Sequence, residues 1–345
     1  MHVKLFSIWL LCLTVFLPLQ AHAERGAARS MGTVTFYMEN DLFYNTDREY
    51  THGTKLSWVS PDLTDYRDHP FIPAWICPFI ERLPFVNRPG YWRSVSLSLG
   101  QSIYTPDDIE RSDLIRDDRP YAGVTTLAVG FHGKDKFRMD TLEFDVGIVG
   151  RHSYAEDIQQ AVHARVDATD PQGWEHQLRD EPILNVFFES KWRLLRRGYQ
   201  GGVGSDFIPH IGGGVGNVFT GANVGGELRF GWNLPNDFGT YIIRPGSESN
   251  VPVDSADPRP ARRGGVHLFL AFEGNAVAYN VLLDGNTFQN SHSVEKEHFV
   301  ACFIGGIGIT AGRIKITYAH VYQTKEFKTQ NKDQQYGSIS VSYTF

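Results

Sequence analysis

Beyond Ala23 the chain has no apolar run of about eighteen residues, so ordinary helical membrane spans are excluded. Cysteine is scarce. Of three cysteines, Cys12 falls in the N-terminal apolar stretch. The remaining two, Cys77 and Cys302, allow one disulfide but no dense framework, and no Cys-x-x-Cys or Cys/His spacing suggests zinc. Positive charge is also short, with a formal net charge of -6. The basic cluster Arg193, Arg196 and Arg197 is short and interrupted by leucines. Neutralising a phosphate backbone takes clustered Lys and Arg, so no nucleic-acid partner is expected.

What is present begins at the N-terminus. Lys4, the apolar run Leu5 to Leu19 and Ala21-His22-Ala23 match the charged, greasy and small-residue parts of a secretory signal peptide. Residues 1–23 are therefore expected to be removed, leaving residues 24–345 as one domain. Removal deletes a single charge, Lys4, and takes the net charge from -6 to -7. An exported, aromatic-rich chain without helical spans has one way to cross a bilayer. In a closed β-barrel, neighbouring strands satisfy every backbone group.

Period-2 alternation supports this class. Ile339, Val341, Tyr343 and Phe345 alternate with Ser338, Ser340, Ser342 and Thr344, and Ile314, Ile316 and Tyr318 alternate with Lys315, Thr317 and Ala319. One face is greasy and the other polar, as lipid-out, lumen-in strands require. A soluble sandwich also alternates, but a terminal strand closing on Phe345 resembles the end signal of outer-membrane barrels. Candidate strands fall at 33–43, 50–60, 92–104, 121–132, 137–149, 183–195, 203–217, 222–233, 264–277, 296–310, 312–324 and 335–345. The expected fold is thus all-β, a twelve-stranded antiparallel transmembrane barrel in the bacterial outer membrane. The long connections 61–90, 105–120, 150–182, 234–263 and 278–295 are expected outside the cell.

The 150–182 connection differs from the rest. Ser153-Tyr154-Ala155-Glu156 fits a capping box, and Ile158, Val162 and Val166 recur every fourth residue, which predicts an amphipathic helix with His163 at the edge of its greasy stripe. Asp170-Pro171 can open a second helix, with Trp174 and Leu178 on one face.

Five polar motifs occur in order along the chain: Asn40-Asp41, Tyr50-Thr51-His52-Gly53, Gln101-Ser102-Ile103-Tyr104-Thr105-Pro106, Asp117-Asp118-Arg119-Pro120-Tyr121-Ala122-Gly123, and Gly147-Ile148-Val149-Gly150 before the His163 helix. In this order and spacing the chain resembles the outer-membrane lipid A 3′-O-deacylase family over most of its mature length. The resemblance implies a twelve-stranded barrel, removal of the 3′-linked acyloxyacyl chain of lipid A, and a calcium requirement. It carries catalytic roles to Asn40, Asp41, Thr51 and His163. The family's lysine past the third strand is matched by Arg111, or by Arg116 across a shorter loop, as substrate-binding residues. Its glutamate six residues after the histidine is here Thr169, so Asp167 and Asp170 join Asp41 as candidate metal ligands. Expected partners are lipopolysaccharide and outer-membrane lipids, with the chain acting as a monomer.

The residue types suit ester hydrolysis. His163 can take a proton from water while a carboxylate orients its other nitrogen, with Asp41 able to orient it or hold the metal. Calcium favours carboxylate and carbonyl oxygens and polarises an ester. Asn40 suits an oxyanion donor or a ligand, and Thr51 a supporting hydroxyl. One difficulty is geometric: consecutive strand residues face opposite ways, so Asn40 and Asp41 share a site only if the strand breaks near residue 40. Val34, Phe36 and Met38 would put Asn40 on the lipid side and Asp41 in the lumen. A site between the outer wall and the His163 helix reconciles this with a lipid substrate. The alternatives are a passive channel and a barrel phospholipase, and the second lacks its His-x-Ser-Asn-Gly run here.

Overall fold

The computed structural model describes residues 31–41, 49–68, 72–83, 88–166, 169–198, 201–240, 242–246, 248–253, 257–259 and 261–345. The expected signal peptide lies outside them. Alternation writes the strands as β1 (Thr33–Asn40), β2 (Glu49–Val59), β3 (Trp92–Thr105), β4 (Ala122–Lys134), β5 (Arg138–Val149), β6 (Glu181–Trp192), β7 (Leu194–Arg197), β8 (Val203–Gly216), β9 (Phe219–Trp232), β10 (Gly265–Asn280), β11 (Phe299–Ala311), β12 (Ile314–Gln323) and β13 (Gln334–Thr344). Segment β7 continues β6 on the same neighbour, Lys191 facing His210 and Leu194 facing Phe207 of β8. Within β7 the register shifts between Leu194 and Arg197, where Leu195 stands at a φ of 49°. They make one wall strand, so the described residues form a twelve-stranded antiparallel barrel, closed by β1–β13 and β6–β8 pairing.

The alternation points as expected. Ser338, Ser340, Ser342 and Thr344 are buried, whereas Val341 and Tyr343 are exposed. Around the wall Phe230, Leu268 and Leu270 are 60%, 60% and 67% exposed. Burying one such side chain gains about 1.5–3 kcal/mol, so a belt of them fits a hydrocarbon surround, not water. Where Gly212, Gly213 and Gly214 stand in β8, a side chain would strike neighbouring atoms, among them the Phe187 ring 2.3 Å from a Cβ on Gly214. That run therefore serves close strand approach rather than phosphate binding.

Two connections depart from expectation. Strand direction alternates, so β2 and β9 both descend toward the end where Thr33 pairs with Thr344. Connections 60–91 and 233–264 leave from that terminal end and are not outer loops. Their length and polar composition resembled an outer loop; direction, not length, assigns the side. The described part of 233–264 folds back into the lumen. Its Asp237 meets Arg229, Arg259 and Lys315 at 2.5, 3.0 and 3.0 Å. Further along, the Ile243 N–H donates to Glu39 Oε1 at 2.7 Å, the Gly246 N–H donates to Glu143 Oε1 at 3.0 Å, and Glu248 pairs with Lys55 at 2.9 Å. A cavity of about 350 Å³ remains above it, bordered by Tyr50, Glu189, Arg244 and Tyr336.

Cys77 and Cys302 are both free and buried. Cys77 belongs to the terminal-end connection and Cys302 to the opposite end of β11, so the barrel's height separates them and no bridge forms.

Candidate active site

On β2 the alternation breaks, and that break builds the outer-face site. Tyr50 points into the lumen, its hydroxyl donating to Glu39 Oε2 at 2.9 Å, and Lys55 points there too. In a regular strand residues an odd number apart face opposite ways. A register shift between Tyr50 and His52 resolves this, with Thr51 as the extra residue of a bulge. Thr51 and His52 thereby both face outward. The Thr51 and Thr105 hydroxyls are 2.9 Å apart, and the Asn40 amide Nδ2 donates to His52 Nδ1 at 3.3 Å. The break expected near residue 40 thus has two parts: β1 ends at Asn40, and its neighbour bulges opposite. Asp41, just past the strand end, is fully buried.

A helix, Ala155–Val166, straps the outward side of β3 and β4 beside this patch. Its start is fixed by the Ser153 carbonyl, which accepts from Gln101 Nε2 at 2.6 Å and Thr125 Oγ1 at 3.0 Å. Gly123 allows the approach, since a Cβ there would sit 2.0 Å from Ser153 Oγ and 2.3 Å from the Ala155 Cβ. The expected capping box does not form: the Ser153 hydroxyl donates to the Gly150 carbonyl, in a short 3-10 turn before the helix. The rotation differs as well. Ala155, Gln159 and His163 are buried against the wall, while Val162 is exposed. Ile158 packs on the cluster of Ile103, Tyr121, Ala155 and Trp174, and Asp157 and Arg165 share the exposed side with Val162. Trp174 and Leu178 are buried as foreseen, but only a 3-10 turn, Trp174–His176, forms there and Asp170 caps nothing.

His163 is 4% exposed, and its Nδ1 donates to the Thr169 carbonyl at 2.5 Å. A carbonyl only accepts, so the proton sits on Nδ1 and Nε2 is the basic nitrogen. Thr169, at the family's glutamate position, supplies by its main chain the orientation expected from a carboxylate. Asp170 is exposed, and Asp167 lies outside the described residues. Among the described residues no cluster of three or more His, Cys, Asp or Glu side chains is shaped to hold a metal. Arg111 is exposed and paired with Asp113 through two bonds of 3.0 and 2.5 Å, and Arg116 is exposed.

Gln159 escaped the sequence reading, as did the roles of Gln101, Asp118 and Arg119 within their motifs. Gln159, one helical turn before His163, accepts from the Trp174 indole at 2.9 Å, and its buried Nε2 has no hydrogen-bond partner among the described residues. On the facing wall Gln101 Oε1 is likewise buried and unmet. The groove thus keeps one donor and one acceptor in reserve, which natural proteins seldom leave without a ligand or water. Arg119 is fully buried, stacked 4.9 Å from the Tyr104 ring centre and bonded to Glu326 Oε2 at 3.0 Å, tying two loops together. Beside it, burial pushes the Asp118 carboxyl above its usual value despite N–H donors from Asp107 and Arg119.

The family described as "Outer membrane protein LpxR" matches residues 8–345 of the chain. The chain belongs to the LpxR family. It is accordingly an outer-membrane lipid A 3′-O-deacylase, as the order of motifs implied. The solved LpxR of Salmonella typhimurium superposes with a TM-score of 0.70 at 17% identity, covering 91% of this chain and 100% of that one, a likeness of fold. The β-domain of the Bordetella autotransporter BrkA gives 0.42 at 9% identity, over 93% of this chain and 100% of that one. No curated protein matches. For an LpxR family member the outward, lipid-side position of the groove is apt, because the substrate is itself a membrane lipid.

Proposed function

We propose that this chain hydrolyses the ester of the 3′-linked acyloxyacyl chain of lipid A with a water activated by His163, and that the reaction requires calcium. The observation supporting this most is the buried His163, basic at Nε2, in a groove between the strap helix and the outward wall. In this reading Nε2 takes a proton from water as the water oxygen attacks the ester carbonyl. The Thr51 hydroxyl and Asn40 amide donate to the oxyanion. As the tetrahedral intermediate collapses, the carbon–oxygen bond to the sugar breaks, and His163 returns its proton to the 3′-oxygen. A free fatty acid and a sugar hydroxyl result.

Calcium fits the donors in kind. The buried Asp41 carboxylate and the Asn40 amide oxygen would hold it, with Asp167, Asp170, main-chain carbonyls or water completing the shell. When bound, it supplies polarisation of the ester carbonyl. Substrate phosphates are assigned to Arg111 and Arg116, both exposed on the loop beside the strap. The lumen-filling 233–264 segment argues against the passive-channel alternative.

Mass spectrometry of lipid A incubated with the purified protein tests the reading. Loss of the 3′ chain is expected in calcium and not after chelation by EGTA. Unchanged lipid A in calcium would refute the activity, and full conversion in EGTA would remove the metal. Thr51→Val should slow conversion by about 10²-fold, the typical cost of one oxyanion donor, while Thr51→Ser retains it.

A further inference from the structure

The connection after β2 does not hang below the barrel. Ser60 N–H donates to the Val95 carbonyl at 2.8 Å, Leu63 and Arg93 exchange backbone bonds of 2.6 and 3.2 Å, and the Tyr66 hydroxyl donates to the His132 carbonyl at 3.0 Å. Tyr66 meets the Phe131 ring edge-on at 5.7 Å. Together with Ile80 it forms one cluster with Val95, Phe131 and Leu142, flanked by Val186 and Phe188. Those wall residues face away from the lumen. Their strand neighbours Ser96, His132 and Thr141 bond one another inside, His132 Nε2 to Ser96 at 2.8 Å and Nδ1 to Thr141 at 3.0 Å, and alternation sends Val95, Phe131 and Leu142 outward. The segment therefore climbs the outer wall of β3 to β6.

Its height follows from the strands. Leu142 and Phe188 lie four residues from the terminal ends of β5 and β6, or about 13 Å along a strand. At a tilt of about 40° that is roughly 10 Å of rise, within an apolar band of about 25 Å. Phe131 also touches Phe144 at 6.2 Å, and Phe144 belongs to the bare lipid belt above. The covered strip and the belt are continuous. On its own outer side the segment bears Trp75 at 71% and Phe79 at 63% exposure, with Pro73, Ala74 and Pro78 exposed around them. Arg67, paired with Glu81, and Arg82 are exposed nearby.

We infer that residues 72–83 form a membrane-seated collar whose outer face, led by Trp75 and Phe79, is buried in phospholipid of the periplasmic leaflet. The occupant is lipid because the collar continues the lipid belt and sits at the end where β1 begins and β13 finishes. An aromatic pair beside exposed arginines is the composition of a membrane interface. The collar thus replaces annular lipid on β3 to β6 with protein and offers a new apolar surface farther from the barrel axis.

The test uses the full chain in phosphatidylcholine vesicles with and without brominated acyl chains. The chain has seven tryptophans, so the Trp75 signal is the difference between wild type and Trp75→Phe. That difference should be quenched several-fold by brominated lipid and shielded from aqueous acrylamide. A second probe, Phe79→Trp in the Trp75→Phe background, should behave alike, with heat-dependent gel mobility verifying a folded barrel for each variant. Emission quenched by acrylamide and indifferent to brominated lipid at both positions would overturn the collar and place this segment in water.

Discussion

His163→Ala is expected to lower the rate of lipid A deacylation by about 10²–10⁴-fold, the usual contribution of a positioned general base, while the barrel stays folded. The fold should survive because His163 sits on the strap helix and not in the wall ladder. Its Nδ1 is bonded to the Thr169 carbonyl, so the alanine variant frees a carbonyl near an exposed segment, where water can satisfy it. His163→Gln sharpens the result, because an amide can keep the Thr169 bond yet cannot act as a base near neutral pH. Both variants should be inactive to the same extent by mass spectrometry of lipid A. If glutamine restores more than a tenth of the wild-type rate, His163 holds the strap in place and some other group moves the proton.

Much of the barrel was legible because alternation is a direct consequence of a two-sided wall. Ser338 to Thr344 could face only a polar lumen and Val341 and Tyr343 only lipid. The sidedness of 234–263 was misjudged because a segment that fills a lumen needs the same prolines, charges and serines as one facing water, and that of 61–90 because its prolines and aromatics suit an outer loop and a wall-hugging segment alike. Charges such as Asp237 and Arg259 are tolerated inside when paired, and single-residue chemistry does not announce the partner. The strap helix was legible as a helix, but the burial of Gln159 and His163 beside Ile158 was not, because the 3.6-residue period marks apolar positions and not polar ones that pack on a wall.

The site divides in the same way. Asn40, Asp41, Thr51 and His163 stood out as polar residues in ordered motifs. The Thr51 bulge was readable in hindsight, since Tyr50 and Lys55 both face the lumen at an odd spacing. The orientation of His163 was not, because Thr169 serves through its carbonyl and any residue has one. The roles of Gln101 and Gln159 were not legible for another reason: an amide gains meaning only when burial leaves one of its atoms unmet.

Asp237→Asn is expected to destabilise the lumen segment by about 3–5 kcal/mol, the cost of leaving buried charges without their partner. One carboxylate there receives Arg229 Nη1 at 2.5 Å, Arg259 Nη2 at 3.0 Å and Lys315 Nζ at 3.0 Å, and all four side chains are fully or almost fully buried. Asp206 and Asp257 balance two of these cations, at 2.7 and 2.8 Å from Arg229 and Arg259. Among the described residues the other hydrogen-bond partner of Lys315 is the Asn250 amide oxygen at 2.9 Å, so Lys315 carries the uncompensated charge in the variant. Burial alone would raise the Asp237 carboxyl, but Lys315, Arg229 and Arg259 more than offset it and hold it well below the usual range. A carboxyl depressed on folding stabilises fully above its unfolded value, about 3.9, and loses that contribution as pH falls through the folded value. Wild-type stability should therefore decline in acid below about pH 4, and Asp237→Asn should be weaker at neutral pH with a flatter acid limb. Urea unfolding of the reconstituted protein across pH measures both. Planar-bilayer recording supplies the independent readout: the wild type should stay closed and the variant should show ion conductance as the segment leaves the lumen. A variant that is as stable as wild type at pH 7 and equally silent would show that the surrounding wall, and not this cluster, keeps the lumen filled.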